Sequence, residues 1–593
     1  MHRLTPKLII ALREGYSPKD FARDAMAGLT VAVIALPLAM ALGIASIPKE
    51  VAEQLAGQYG AWLTPPAMGL FTAVIAGFLI SALGGSRVQI GGPTAAFIPI
   101  VFGIAAAHGY DGLVLATLMA GVIIVLMGVM GFGALIKFIP YPVTTGFTAG
   151  IAVTIIASQV KDFFGLTIFD AAGNSIGLPA EFVPKIELLV RNFGSMSWQT
   201  MVVGVGALGV LVVMRRFVPR VPGAIVAVAG ASLVVWMMGW ERPVAPGGVM
   251  VQTIGTRFGG IPSGLPGAHL PHFTFKMVRE LAIPSMTIAI LCAIESLLSA
   301  VVADGMTGYR HKSDTELVGQ GFANIASAFF FGLPATGAIA RTVANIKNGG
   351  GTPIAGILHA VFLLLFMLLA AKWASYIPLS ALSAVLLVVA WNIAEVDHFR
   401  ALLKAPRQDV AVLLVTFGLT VFFDLTLAVG VGMTLAAYMF MKRMSDVSNV
   451  SAITKEFGAA SEEMEETISD LKDPESVSRA DVPRGVEVYE IAGPFFFGVA
   501  DRLKDTLNQF ERPPKVFVLR MRKVPAIDAT GLHALREFHG KCKRQGIRLL
   551  LSGVHAQPLF AICQVGLDKE VGVENMFETL HDALVAARGV VGK

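Results

Sequence analysis

The stretch GLPATGAIAR at residues 332–341 decides the fold, together with GGPTAAF at residues 91–97. In each stretch a Leu-Pro or Gly-Pro step interrupts an apolar region and small residues follow, which predicts a helix that begins inside a membrane. A broken backbone survives in hydrocarbon only where protein or a water-filled cavity satisfies its polar groups. Two such breaks in one chain therefore predict a binding site.

The two breaks favour a ligand with negative charge. A helix N-terminus presents unpaired N–H groups and the positive end of the peptide dipole, so two N-termini that converge would receive an anion. Arg341 lies four residues beyond Gly337, on the same helical face, and adds a fixed positive charge. The alternative is that both breaks are ordinary kinks, because Gly and Pro are common in membrane helices.

The composition is that of a membrane protein. Charged residues make up 15% of the 593-residue chain, whereas soluble domains contain about 25%. The net charge of +5 lies mostly in short loops, so we expect no nucleic-acid partner. The three cysteines form no CxxC pair, which excludes a disulfide framework and argues against a zinc site.

Apolar runs along the chain predict about fourteen membrane crossings, if the two interrupted runs count as half-length spans. An even number places both termini on one side. The basic loop residues fall on that same side, which the positive-inside rule identifies as the cytoplasm. The Pro- and Gly-rich loop from Arg242 to Pro271 divides the spans into two sets of about seven, each with its break in the third span. Because seven is odd, we expect two inverted repeats.

The chain divides into four parts. Residues 1–22 are an N-terminal cytoplasmic segment, 23–443 the membrane domain, 444–483 an acidic linker and 484–593 a soluble domain. In the last part, the strand patterns VEVYEIAG, KVFVLRM and IRLLLSGV alternate with helical patterns. We therefore expect a small α/β domain on the cytoplasmic side.

Several motifs resemble the SulP family of anion transporters. In the membrane domain they are residues 29–37, GGSRVQIGGPT at 84–94, IPYPVTTGFTAGIAV at 139–153, IESLLSAVVADGMTG at 294–308 and LPATGAIARTVANI at 333–346. In the soluble domain, IDATGL at 527–532 is similar to the STAS domain (the sulfate-transporter and anti-sigma-factor-antagonist module) that these transporters carry.

The resemblance implies a polytopic helical fold in which the two inverted repeats form a core and a gate, usually as a homodimer. It places the anion at the backbone of Thr94, Ala95, Gly337 and Ala338, with Arg341 nearby. The expected function is secondary active transport of a small anion across a bacterial inner membrane, by an elevator-like movement of the core past the gate. Sulfate, bicarbonate and small dicarboxylates all remain open as substrates.

Glu295 is the candidate coupling residue. It and Ser299 occupy positions at which similar cyanobacterial sodium-dependent bicarbonate transporters carry an acidic residue and, one turn later, a hydroxyl residue. A sodium ion or a proton would neutralise this carboxylate, and we expect no other metal or cofactor. Two departures keep both ions open: Leu38 follows the first-span proline, where proton-coupled members carry an acidic or amide residue, and Ile339 replaces a threonine among the sodium ligands.

Asp528 and Thr530 of the STAS domain allow two interpretations. Thr530 matches the position at which anti-sigma antagonists accept a phosphate, at a helix N-terminus where negative charge is favoured. Alternatively, both residues simply cap the helix. A cytoplasmic partner of this domain also remains open.

Three function classes follow: a transporter, an anion channel on the same scaffold, or a membrane-anchored sensor whose STAS domain signals. The sensor would not need an intact site, yet both breaks and Arg341 are present. The sequence shows no nucleophile–base pair, phosphate-binding loop or metal cluster, so we expect no enzyme.

Overall fold

A computed structural model describes residues 4–592 except for 135–139, 170–175, 219–221, 243–250, 270–273, 424, 448, 453–481, 497–502 and 504–512. The chain divides into two compact units, Met1–Ala436 and Ala437–Lys593. Most of the acidic linker predicted at 444–483 lies outside the described residues.

The first unit is helical. Its helices are α1 (Lys7–Arg13), α2 (Pro18–Ser46), α3 (Lys49–Tyr59), α4 (Pro65–Leu83), α5 (Ile98–Met130), α6 (Tyr141–Phe164), α7 (Phe182–Arg191), α8 (Trp198–Phe217), α9 (Gly223–Met238), α10 (Ile254–Phe258), α11 (Phe275–Thr307), α12 (Ser313–Phe329), α13 (Ile339–Lys347), α14 (Pro353–Ala374), α15 (Leu379–Ile393), α16 (Val396–Leu402), α17 (Arg407–Phe422) and α18 (Leu425–Val447), the last of which continues into the second unit. Two short strands, β1 (Gly91–Gly92) and β2 (Thr336–Gly337), interrupt the helices at the two predicted breaks.

The prediction of a helical membrane protein with several spans is confirmed. Eight helices in the described ranges are long and apolar enough to cross a membrane, and α9 is a shorter apolar helix. The range of α5 contains two helical stretches that meet at Gly109, whose φ of +66° lies outside the helical region, in agreement with the two apolar runs of the sequence there. The count of fourteen spans stays a prediction.

The helices pack as two groups that correspond to the predicted core and gate. In the core group, α2, α4, α5, α11, α12 and α14 pack against one another. In the gate group, α6 packs against α15 and α17, while α8 packs against α9 and α15. Each group takes helices from both halves of the membrane domain, as expected if two repeats interlock.

Two glycines let α2 and α4 approach backbone to backbone. A Cβ atom at Gly43 would lie 2.0 Å from the Pro65 carbonyl oxygen, and one at Gly69 would lie 1.9 Å from that of Ala39. Membrane helices gain little from burying apolar surface against each other, so close packing of small residues holds them together. Because α4 leads into the first break, this crossing fixes where that break begins.

Glu316 on α12 holds the segment that connects α4 to the first break. Its buried carboxylate accepts hydrogen bonds from the backbone N–H groups of Gly85 (2.7 Å) and Ser86 (3.0 Å). Gln320, one turn later, donates to the other carboxylate oxygen at 2.9 Å. A buried carboxylate is tolerated only when hydrogen bonds satisfy it, and here it satisfies two loop N–H groups in return.

The second unit contains the predicted α/β domain. Its five-stranded sheet has the order β3-β4-β5-β6-β7, with β3 antiparallel to β4 and the other neighbours parallel. The strands are β3 (Asn449–Ala452), β4 (Val486–Ala492), β5 (Val516–Lys523), β6 (Arg548–Ser552) and β7 (Met576–Phe577). The helices are α19 (Ala529–Arg544), α20 (Ala556–Gln564), α21 (Leu567–Val571) and α22 (Leu580–Val591).

Side chains along β5 point alternately to the two faces of the sheet, and each face has its own hydrophobic core. Phe517 belongs to the same buried cluster as Phe538 of α19, whereas Val516 and Val518 belong to the same cluster as Leu584 of α22. Because both faces of its central strands are buried, β5 reads as a continuous apolar run, VFVL.

The boundary predicted at residue 484 needs correction, because β3 lies within the predicted linker. Asn449 pairs with Ala492 and Ala452 with Tyr489, so this segment forms an edge of the sheet. Its sequence, NVSA, alternates polar and apolar residues, but four residues are too few for this alternation to predict a strand. Nothing in this local pattern distinguishes it from a linker.

We predict that Gly69→Ala destabilises the membrane unit by about 1–3 kcal/mol, since the added methyl group overpacks the α2–α4 crossing. Gly57→Ala on α3 is the control, because a Cβ atom there meets nothing within 4 Å. Thermal unfolding of each purified variant in detergent measures the effect. An unchanged midpoint for Gly69→Ala would contradict the close crossing.

Candidate functional site

The two breaks meet each other directly. In the antiparallel pair β1–β2, Gly91 lies opposite Gly337 and Gly92 opposite Thr336. The pairing continues where the Ala338 N–H donates to the Ile90 carbonyl oxygen at 2.8 Å. Each break thus satisfies backbone groups of the other, and the two half-helices begin side by side.

Glycine is required on both strands of this pair. Gly92 has a φ of +144°, and a Cβ atom there would lie 2.5 Å from Nη1 of Arg341. A Cβ atom at Gly337 would lie 1.5 Å from Nε2 of Gln89. Both the backbone conformation and the close approach therefore exclude larger residues.

Polar side chains of α11 and α12 hold the second break. The Gly337 N–H donates to Oγ of Ser296 at 3.1 Å, and that hydroxyl lies 2.6 Å from Oγ1 of Thr336. Asn324 accepts from the Ala335 N–H and donates to the Ala335 carbonyl oxygen, both at 2.8 Å. Side chains of α11 and α12 therefore hold the second break at consecutive residues, and both helices belong to the core group.

These anchors determine which N–H groups remain for an anion. The N–H groups of Gly337 and Ala338 donate to Ser296 and to Ile90, so donors without an intrahelical acceptor begin at Ile339. At the first break, Thr94 precedes the short 3-10 turn Ala95–Phe97 that leads into α5. The predicted binding by Gly337 and Ala338 stays a prediction, and the structure gives both N–H groups other acceptors.

Arg341 connects the second half-helix to the first break. The side chain is 2% exposed. Nη2 donates to the Pro93 carbonyl oxygen at 2.5 Å, with a longer contact of 3.5 Å from Nη1 to the carbonyl oxygen of Gly91. Within the described residues Nε has no hydrogen-bond partner and no carboxylate lies within ion-pair distance of the guanidinium. Glu295 acts on this guanidinium from beyond ion-pair distance, so the buried positive charge is incompletely compensated and favours a further anion.

Glu295 faces the first break, whereas Ser299 faces the second half-helix. Oγ1 of Thr94 donates to the Glu295 carboxylate at 2.9 Å. The buried Ser299 hydroxyl donates to Thr342 at 3.2 Å, and Thr342 in turn accepts from the Ile90 N–H at 3.0 Å. The two side chains therefore have different partners, and binding of a coupling ion by Glu295 and Ser299 stays a prediction.

The sequence analysis did not identify the polar residues that hold the two breaks in place. They are Gln89, Ser296, Thr336 and Thr342. The available signal is their occurrence as buried polar groups in otherwise apolar runs, but their partners lie about 40 to 250 positions away in the sequence. Local spacing therefore cannot reveal them.

In the second unit, Asp528 is the N-cap of α19. Its carboxylate accepts from the Gly531 N–H at 2.8 Å, as in the capping interpretation. Thr530 is exposed in the first turn of the same helix. Phosphorylation of Thr530 stays a prediction.

Family models match both units. The sulfate permease family matches residues 21–416, and the STAS domain matches residues 478–583. The chain is 37% identical to the putative sulfate transporter YvdB of Bacillus subtilis, covering 96% of this chain and 98% of that protein. It is 28% identical to the bicarbonate transporter BicA of Synechocystis sp., covering 96% and 95% of the two chains.

Solved structures share the fold. The inward-facing murine anion transporter Slc26a9 superposes with a TM-score of 0.82 at 18% identity, covering 99% of this chain and 94% of that one. The transmembrane domain of a cyanobacterial BicA superposes with a TM-score of 0.58 at 27% identity, covering 71% of this chain and 98% of that one. These matches extend over the breaks and the helices that hold them.

Proposed function

This chain belongs to the sulfate permease family, and on that premise we propose that it is a secondary active transporter of a small oxyanion, with sulfate or bicarbonate as substrate. The observation that carries the proposal is the direct pairing of the two half-helix starts, with the buried Arg341 guanidinium at their junction. A small dicarboxylate remains the alternative substrate.

The geometry supports an oxyanion because it concentrates positive potential without a covalent partner. The 3-10 turn Ala95–Phe97 that leads into α5 and the first turn of α13 offer N–H groups, and the dipoles of both half-helices favour negative charge there. Several N–H groups suit an ion with several acceptor oxygens.

An elevator-like step is compatible with where the site residues lie. Thr94, Glu295 and Arg341 all lie on elements that pack within the core group or follow directly from its helices. The anion could therefore travel with the core past the gate while the β1–β2 pair stays intact. We propose this movement in a bacterial inner membrane, with both termini cytoplasmic and with a homodimer as the assembly.

Transport also distinguishes this proposal from its competitors. The curated relatives named above are transporters rather than enzymes, which supports a non-enzymatic role. A channel on the same scaffold would pass anions without accumulating them, and a sensor would retain its signal with a damaged site.

We predict that the purified protein in proteoliposomes accumulates labelled sulfate or bicarbonate above equilibrium when a sodium or proton gradient is imposed. Arg341→Ala should lower the apparent affinity about tenfold, since it removes a buried charge beside the anion. Arg279→Ala, at an exposed position on α11, is the matched control. Large passive conductance without accumulation would favour the channel, and wild-type affinity in Arg341→Ala would contradict the site.

We predict that Glu295→Gln weakens the cation dependence of uptake while anion exchange persists. With its cation bound, the carboxylate no longer repels the anion, so the two bind cooperatively. The control is Glu280→Gln, an exposed carboxylate on the same helix.

Profiles of uptake against pH and sodium separate the two candidate ions. Proton coupling predicts uptake that rises as the pH falls and becomes independent of pH in Glu295→Gln. Sodium coupling predicts a sodium requirement that Glu295→Gln loses. Wild-type dependence on both ions in this variant would place the coupling site elsewhere.

A further inference from the structure

A cavity of about 210 Å³ lies between the two helical groups and reaches the first residues of α5. Its lining extends from the end of α2 at Ala41 to Lys49, on the side of the membrane that the sequence predicts to be outside. It ends at Ile98 and Pro99, one helical turn beyond Thr94. The cavity therefore leads from that surface toward the first half-helix. One water needs only about 10–15 Å³, so a hydrated small ion fits.

The charged side chains that line this cavity are mostly basic. Four are basic and two are acidic, a balance of +2: Lys49, Lys161, Lys185 and Arg257 against Asp162 and Glu181. The Arg257 guanidinium pairs with Asp162 at 2.8 Å, and Lys49 lies 3.7 Å from Glu53. Lys161 interacts with Asp162 and Glu50, so within the described residues Lys185 is the lining lysine with no acidic side chain acting on it.

Lys185 on α7 is buried, and none of the described residues supplies an anionic partner for it. Lys185 is 7% exposed, and its ammonium lies 5.8 Å from the ring centroid of Phe102 on α5. Within the described ranges this ring is its only recorded polar or electrostatic contact. Burial lowers the pKa of Lys185 to about 8. A cation–π contact offsets only part of the cost of burying a charge, so an anion in the cavity would stabilise the ammonium.

We infer that this cavity is a second anion site, in which Lys185, assisted by Lys161, binds one small oxyanion of the transported class before it reaches the half-helices. The inference rests on the proposed function for the identity of the anion. Phe102 continues the helix that begins at the first break, so the two sites lie along one helix.

Binding at this site depends on pH with a defined sign. An anion favours the charged form of Lys185, so affinity is highest when the ammonium is already protonated and falls as the pH rises through about 8. The other charged groups that face the cavity are Lys49 of α3, Lys161 and Asp162 of α6, Glu181 before α7 and Arg257 of α10. An arginine at position 185 keeps its charge over this range and should remove the dependence.

The first test is the concentration dependence of sulfate and bicarbonate uptake at pH 7 and pH 9. At pH 7, Lys185→Gln should raise KM about tenfold and leave the maximal rate within about twofold, because the site acts before the transport step. The wild-type KM should rise toward that of Lys185→Gln at pH 9, whereas Lys185→Arg should keep a low KM at both. Lys276→Gln, whose side chain is 83% exposed, is the control. An unchanged KM in Lys185→Gln, or equal pH dependence in wild type and Lys185→Arg, would overturn the inference.

The second test does not require transport. 4-Sulfophenyl isothiocyanate modifies unprotonated amines, and mass spectrometry gives its rate at Lys185 and, as control, at Lys276. Sulfate or bicarbonate should slow the reaction at Lys185 by about tenfold relative to gluconate of equal ionic strength, in wild type and in Arg341→Ala. Protection without accumulation would preserve this site and reject the proposed function. Accumulation with no protection of Lys185 would support the proposed function and reject this second site.

Discussion

The membrane unit depends on one constraint: a backbone that breaks inside hydrocarbon must find partners for its polar groups. Here each break supplies partners for the other, through the pairing of Gly91–Gly92 with Thr336–Gly337. This pairing explains why glycines stand at the junction and why polar side chains of α11 and α12 surround it. It also places the starts of the two half-helices side by side, where we propose that the anion binds.

Charge then determines what the junction can do. Arg341 donates hydrogen bonds to carbonyl groups of the first break, and neutral acceptors leave its positive charge in place. Glu295 accepts a hydrogen bond from the Thr94 hydroxyl of the same break. A carboxylate beside an anion site opposes binding unless a cation neutralises it. In the proposed mechanism the same arrangement attracts the anion and makes its binding depend on a second ion. The cavity at Lys185 extends the positive potential toward the surface.

Sequence analysis predicted the fold class, the two breaks and the α/β domain, because these leave local signals: long apolar runs, Gly-Pro steps and alternating strands. The direct pairing of the breaks was not predictable, since Gly91 and Gly337 are far apart in the chain and two-residue strands carry no periodicity. The sequence also predicted that Gly337 and Ala338 bind an anion through their N–H groups. It could not show that these N–H groups have other acceptors, since the acceptors are far away in the chain. Strand β3 was missed because NVSA resembles the linker around it. Lys185 was missed because a single lysine outside the spans gives no sign of being buried.

Locating a bound oxyanion tests the central claim most directly. Crystals of the full chain soaked in selenate, which has the shape of sulfate and a strong anomalous signal, give the position of the ion. The account predicts an anomalous peak within hydrogen-bond reach of the 3-10 turn that begins at Ala95 and of the first turn of α13 at Ile339, beside Arg341. An ion bound elsewhere on the core, with this junction empty under conditions that saturate transport, would contradict it.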